Sequence, residues 1–194
     1  MGNNKNLIII GVVLLIVMFG GCGYNGIVGT DQTVKEKWAQ VENNYERRAA
    51  LIPNLVNTVK GEANFEQSTL TQITEARAKA TQMKVDVSNL TPEKMKEYEA
   101  AQGQLGNAIG RLLSVTENYP NLKANQGFRD LSAELSGTEN RISTARKDFN
   151  EAVTGYNVKV KRFPMNILAG MFGFHERGFF QSTPGSDKAP TVTF

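Results

Sequence analysis

One cysteine and one histidine stand in 194 residues. A lone cysteine cannot close a disulfide within the chain, nor build a cysteine-based zinc site. A lone histidine, His175, excludes histidine-rich metal sites. Excess charge is also scarce: 22 Lys+Arg face 19 Asp+Glu, a formal net charge of +3. Nucleic-acid-binding domains concentrate basic residues far more strongly, so nucleic acid is excluded as the expected partner. The chain has no glycine-rich phosphate loop, no nucleophile beside a base, and no stretch that alternates as a half-buried strand does. The sequence therefore predicts no metal, no cofactor and no enzymatic activity.

What is present begins with an apolar run. Residues 7–19 read LIIIGVVLLIVMF, behind a short MGNNKN lead in which Lys5 is the one charged side chain. Thirteen helical residues rise about 20 Å against a bilayer core of ~30 Å. Extending to Gly23 reaches the lower edge of a span. Two readings fit: a short signal-anchor helix that stays in the membrane, or a secretory segment, whose apolar core is roughly 7–15 residues. Cys22 bears on the choice. Phe19-Gly20-Gly21-Cys22 has the form of a small-residue box before an acylated cysteine, with Phe19 where Leu is usual. Without acylation, Cys22 is an incidental cysteine at the end of a transmembrane helix. Both readings attach the chain to a membrane. Lys5 favours an N-terminus inside and a body on the non-cytoplasmic side. Gly23–Thr30 then reads as a bendable tether, so that Cys22 and Asp31 lie at most about 30 Å apart.

From Asp31 the helical period dominates. A first stripe runs Val34, Trp38, Val41, Tyr45, Arg48, Ile52, Leu55, Val59, with Thr30 or Asp31 as its cap. The same phase continues through Glu66, Leu70, Ile73, Ala76, Ala80 and Met83. Pro53 deletes a backbone donor and predicts a kink, and Gly61 is a second weak point. The expectation is one long bent helix, or two helices meeting near Gly61. Thr91-Pro92-Glu93 opens a second stripe, Met95, Tyr98, Gln102, Leu105, Ile109, Leu112, Thr116, Tyr119. A third, from near Asn125, is Phe128, Leu131, Leu135, Thr138, Ile142, Ala145, Phe149, Ala152, Tyr156, Val160, Phe163, closed by Pro164. The fold predicted is all-α: an antiparallel bundle of three to four long helices with an N-terminal membrane segment. Its expected divisions are 1–22 membrane segment, 23–30 tether, 31–174 bundle and 175–194 flexible tail. The apolar NILAGMFGF either caps the bundle or lies against a membrane; capping is favoured because bundle ends need cover.

Several polar residues do not suit a plain bundle. Arg48 holds a seam position, and Asn54 follows Pro53 where it can serve backbone groups freed by the kink. Glu139, Arg146, Asn150 and Asn157 form a row beside the third stripe, spaced seven, four and seven residues apart. Such a row is either a solvated face or an interhelical network, with Arg48 and Arg77 as partners, that fixes register more than it adds stability. Lys159, Lys161 and Arg162 read as cations meeting a helix C-terminus.

Several stretches resemble the LemA family of bacterial membrane-associated proteins. They are Gly23-Tyr24-Asn25, VKEKWAQVENNYERRAALIPNLVNTVKG (34–61), Glu75–Arg77, ENYPNLKAN (117–125) and TENRISTARKDFNEAVTGYNVKVKRFPMNILAGMFGF (138–174). The resemblance implies a long-helix bundle with an N-terminal membrane segment and supplies no catalytic residues. A related magnetosome protein takes part in membrane formation, which implies a scaffolding or membrane-shaping task. The expectation is a membrane-anchored, non-enzymatic scaffold or adaptor of the bacterial envelope. Its partners would be membrane lipid and either further copies of itself or another membrane protein. The alternative is a sensory or signalling ectodomain that binds a ligand along the polar row.

Overall fold

A computed structural model describes the backbone of residues 3–61 and 65–181, and the side chains of Gly21, 23–61 and 65–181. Cys22's side chain, the side chains of the apolar run and residues 182–194 lie outside the described residues, and with them the lipidation reading and most of the expected tail. The described elements are helical throughout: α1 (Asn3–Lys60), α2 (Gln67–Gln82), α3 (Pro92–Val115), α4 (Pro120–Ala124), α5 (Gln126–Lys161) and α6 (Met165–Met171). Four are long, and they run up and down. Lys37 pairs with Asp148 at 3.2 Å and Arg47 with Glu134 at 2.7 Å, so α1 and α5 lie antiparallel. Among the described residues, no helix is long and apolar enough to cross a membrane.

Local chemistry sets the helix starts where the sequence signals them. Thr91 Oγ1 accepts from Lys94 N ahead of Pro92, and Asn125 Oδ1 accepts from Phe128 N at 3.1 Å to open α5. The long first stripe does break at Gly61, giving α1 and α2 rather than one helix to Met83.

Residues 23–30 correct the expectation of a bendable tether. They are helical, and α1 starts neither at Thr30 nor at Asp31. Each helical glycine costs about 1 kcal/mol against alanine. Burial offsets that cost: Ile27 is 1% exposed within the core, and Met165 and Leu168 of α6 rest on Gly23. A Cβ on Gly23 would meet the Met165 thioether. Asp31, freed from capping, is buried and takes an ion pair described below.

The core falls into two clusters along the bundle. One gathers Ile27 to Tyr45 of α1, Leu90, Met95 and Tyr98, the second half of α5, and Phe180. The other gathers Ile52 to Val59, α2, Leu105 to Leu112, Leu122, Phe128 and Leu135. Trp38 centres the first, with ring centroids 5.1 Å from Tyr98, 5.2 Å from Phe149 and 6.2 Å from Phe180. Phe163, expected on the third stripe, is 76% exposed because α5 has already ended at Lys161.

Pro53 sits within α1, and the helix continues through it. Having no N–H, it leaves the carbonyl of Ala49, four residues back, without its helical donor. Arg77 supplies one: its Nε donates to Ala49 O at 2.8 Å. Asn54 does not do this work; it is exposed, and its own carbonyl accepts from Thr58 Oγ1. Arg77→Ala is therefore expected to destabilise by about 1–3 kcal/mol, the penalty of an orphaned buried carbonyl. Pro53→Ala restores an N–H at position 53, so the loss should shrink in that background. Denaturant titration of the four species checks this, and additive losses would contradict the pairing.

Candidate functional site

Between the two clusters lies a polar layer. Arg48 is 3% exposed and bonds directly to two other helices. Its Nη2 donates to the Gln102 backbone carbonyl and to Gln102 Oε1, both at 2.9 Å, and its Nη1 to Glu139 Oε2 at 3.0 Å. Gln102 Nε2 in turn donates to Ala80 O at 3.2 Å. One node thus ties α1, α3, α5 and α2. The guanidinium also lies 5.0 Å from the Tyr45 ring centroid. Burial is the main force raising the Tyr45 hydroxyl pKa above its ordinary value, and nearby Arg146 and Arg48 pull it back. Tyr98 is pushed up more strongly, again chiefly by burial.

A groove of about 740 Å³ opens over this layer, between α3 and α5. Arg48, Tyr45 and Gln102 line it with Gly103, Gly106 and Gly110 of α3 and Leu135, Ser136 and Glu139 of α5. Lys96, Glu99, Arg146 and Gln181 also line it. Nothing lies within 4 Å of a Cβ built on Gly103 or Gly110, so these glycines leave the groove open. A smaller cavity of about 240 Å³ lies between α1, α2 and α3, with Glu42, Glu46, Arg77 and Lys84 in its lining. Burial is the main cause raising the Glu42 carboxyl pKa above its ordinary value. His175 lines neither cavity and is exposed. No cluster of acidic, histidine or cysteine side chains that could hold a metal occurs among the described residues.

The polar row of α5 divides between two tasks. Glu139 joins the Arg48 node, while Arg146, Asn150 and Asn157 hold a strap. Residues 175–181, expected as part of a flexible tail, instead run extended across the bundle and bury Arg177, Gly178 and Phe180. Asn157 Nδ2 donates to Arg177 O at 2.8 Å while Arg177 N donates to Asn157 Oδ1 at 2.9 Å. Asn150 makes the same pair with Phe180, at 2.9 Å each way. The spacing explains the match. Seven helical residues rise about 10.5 Å, and three extended residues span about 10 Å. Two amides at seven-residue spacing therefore read backbone groups three residues apart. Arg146 stacks 4.5 Å from the Phe180 ring centroid and pairs with Glu99 of α3.

The strap's other anchor is Arg177, which pairs with Asp31 and lies 4.7 Å from the Tyr156 ring centroid. Both side chains are buried, and Lys35 also reaches Asp31 at 2.9 Å. Burial raises the Tyr156 hydroxyl pKa; Arg177 pulls it back and Asp31 adds to the rise. Sequence reasoning missed Asp31, Glu99 and Arg177. The available signal was a charged residue set between His175-Glu176 and the Phe179-Phe180 pair.

Gly178 lets the strap pass. Its N–H donates to Leu90 O at 2.8 Å, and an added Cβ would stand 2.9 Å from both Pro92 Cα and Thr91 O. These are backbone atoms and cannot swing aside. Gly178→Ala is expected to lift the strap and cost about 1–3 kcal/mol, the range for forced overpacking. Limited proteolysis checks it: cleavage should move to residues 175–181, and an unchanged pattern would contradict the fit.

A family model described as the LemA family matches residues 37–194. The chain is 28% identical over 187 residues to Magnetosome protein MamQ 2 of Paramagnetospirillum magneticum, covering 88% of this chain and 68% of that protein. It is 26% identical, over the same shares, to Magnetosome protein MamQ of Magnetospirillum gryphiswaldense. Over 138 residues it is 29% identical to Protein LemA of Metamycoplasma hominis, covering 71% of this chain and 59% of that protein.

Proposed function

The chain belongs to the LemA family, and from that premise we propose that it is a membrane-anchored, non-enzymatic helical scaffold of the bacterial envelope. Its bundle stands on the non-cytoplasmic side and associates with further copies or with another membrane protein. The observation that carries this reading is the continuity of α1. One helix of 58 residues contains both the apolar run and the first core seam. Such a helix is about 87 Å long and transmits orientation as a flexible tether does not. A bundle held this way presents its faces at a fixed attitude to neighbours on the same membrane, and clustering of such bundles shapes the bilayer. The curated relatives named for magnetosomes support the placement at a membrane.

The test uses the full chain. After an alkaline wash it should remain with floated vesicles, and crosslinking in native membranes should give homo-oligomers or one membrane-protein partner. Release by the wash, or a strict monomer that leaves vesicle shape unchanged, would overturn the reading. Intact mass separates the two anchors: a chain starting at Cys22 with acyl mass is a lipoprotein, an uncut chain a signal-anchor.

The groove favours the alternative reading, a ligand- or peptide-sensing ectodomain. Gly103→Leu distinguishes the two. Its side chain enters the groove from a Cβ with nothing within 4 Å, and it removes a helical glycine, so stability should hold or rise by up to about 1 kcal/mol. Membrane-dependent self-association that survives Gly103→Leu supports the scaffold. Signalling or partner capture that Gly103→Leu abolishes supports the sensor.

A further inference from the structure

The end of the bundle from which the N-terminal part of α1 emerges carries an apolar surface that the fold leaves uncovered. α6 docks one side inward: Ala169 is 1% exposed, and Met165 and Leu168 rest on Gly23. Its other side does not dock. Ile167 and Met171, four apart on α6 and so aligned, are 56% and 76% exposed; Phe163, in the turn before the helix, is 76% exposed and Phe172, just after it, 58%. Surface leucines and phenylalanines scattered singly need no explanation, but a contiguous group does. The ring of Tyr24, on α1, lies 4.9 Å from that of Phe172 and joins the patch to the emerging helix.

Where the chain goes next says what covers this patch. Phe19, the last residue of the apolar run, is four residues before Gly23 in the same helix. That is about 6 Å along the axis. The run itself rises only about 20 Å, less than a ~30 Å bilayer core, so an anchored α1 draws the end of the bundle down to the headgroups. Arg162, exposed beside Phe163, adds a cation suited to anionic lipid.

We propose that α6 and its flanks form a membrane-contact apron: Phe163, Ile167, Met171 and Phe172 enter the lipid interface alongside the helix that anchors the chain. This rests on the anchored reading above. A helix with one apolar face lies in the interface plane and buries that face about 5–10 Å into the headgroup boundary. The apron gives the bundle a second point of contact, and two points fix its tilt where one helix leaves it free to rotate. Lipid is the occupant; a second copy of the chain is a distinct outcome of the test.

The full chain, with a benzophenone amino acid incorporated at position 167 or 171, is reconstituted in phosphatidylcholine–phosphatidylglycerol vesicles, floated and irradiated. Position 133 is the control: Ala133 is exposed and lies about 40 Å along α5 from Phe163. Lipid adducts are expected at 167 and 171, with none above background at 133. Flotation without lipid adducts at 167 and 171 overturns the apron and leaves the anchor standing. Flotation with chain-to-chain adducts in their place overturns it too, in favour of a second copy. A chain that does not float overturns apron and anchor together.

Discussion

Arg177→Ala is expected to destabilise the protein by about 3 kcal/mol, the low end for breaking a buried pair, because it leaves buried Asp31 with only the part-exposed Lys35 as counter-charge. Asp31 and Arg177 are both buried, and Tyr156 faces the guanidinium. The loss should exceed that of any single strap contact, since Arg177 also sets the register in which Asn157 meets the strap backbone. Freed at that point, the strap withdraws Phe180 from Trp38 and Phe149, whose centroids lie 6.2 Å and 5.7 Å from its own. The companion measurement is the double variant Asp31→Leu/Arg177→Met. Replacing a buried ion pair by apolar side chains of similar bulk is often neutral or stabilising. Denaturant titration should therefore find the double variant more stable than Arg177→Ala alone. If Arg177→Ala costs less than about 1 kcal/mol, in the range of an exposed pair, the strap is not locked through this residue.

The second large effect concerns Arg48. Its alanine variant loses a buried stem and leaves the Gln102 side-chain oxygen without a donor, together about 2–4 kcal/mol. The double variant Arg48→Met/Gln102→Leu fuses the two apolar clusters into one. Its stability should recover part of that loss: the pair leaves no polar atom of its own unmatched, while Ala80 O loses the donor that Gln102 Nε2 supplied. Specificity should suffer: with the polar layer gone, α1, α3 and α5 have apolar surfaces that can slide past one another. Methyl NMR spectra of the double variant should broaden or multiply. A single sharp set of resonances at native stability would show that register is set elsewhere.

The strap and the polar layer were unequally legible. Arg48 stood out because a cation on a heptad seam contradicts the pattern around it, and Gln102 fell on the second stripe in the same way. Their meeting, with Glu139 as a third partner, is the shared-layer geometry such misfits point to. Helix starts at Thr91-Pro92 and Asn125 were readable because capping is a local matter. The strap was not readable, since an extended segment held by side-chain amides has neither period nor caps. The seven-residue interval from Asn150 to Asn157 was visible, but its match to three extended residues exists only once both elements are placed. Residues 23–30 misled for the opposite reason. Their glycines lower helix propensity locally, while the burial of Ile27 and the seat of Met165 on Gly23 decide the outcome from a distance. Asn54 was the nearer candidate for the carbonyl freed by Pro53, but that carbonyl lies a turn back, on Ala49, where Arg77 of α2 reaches it.

The proposed scaffold depends on α1 carrying orientation from the anchor into the bundle without a joint. Amide hydrogen exchange of the full chain in bilayers, read across residues 23–30, tests this most directly. The account predicts protection there comparable with residues 31–45 of the same helix. Exchange across 23–30 at the rate of an unstructured peptide, with 31–45 still protected, would make the segment a hinge and contradict a rigidly held bundle.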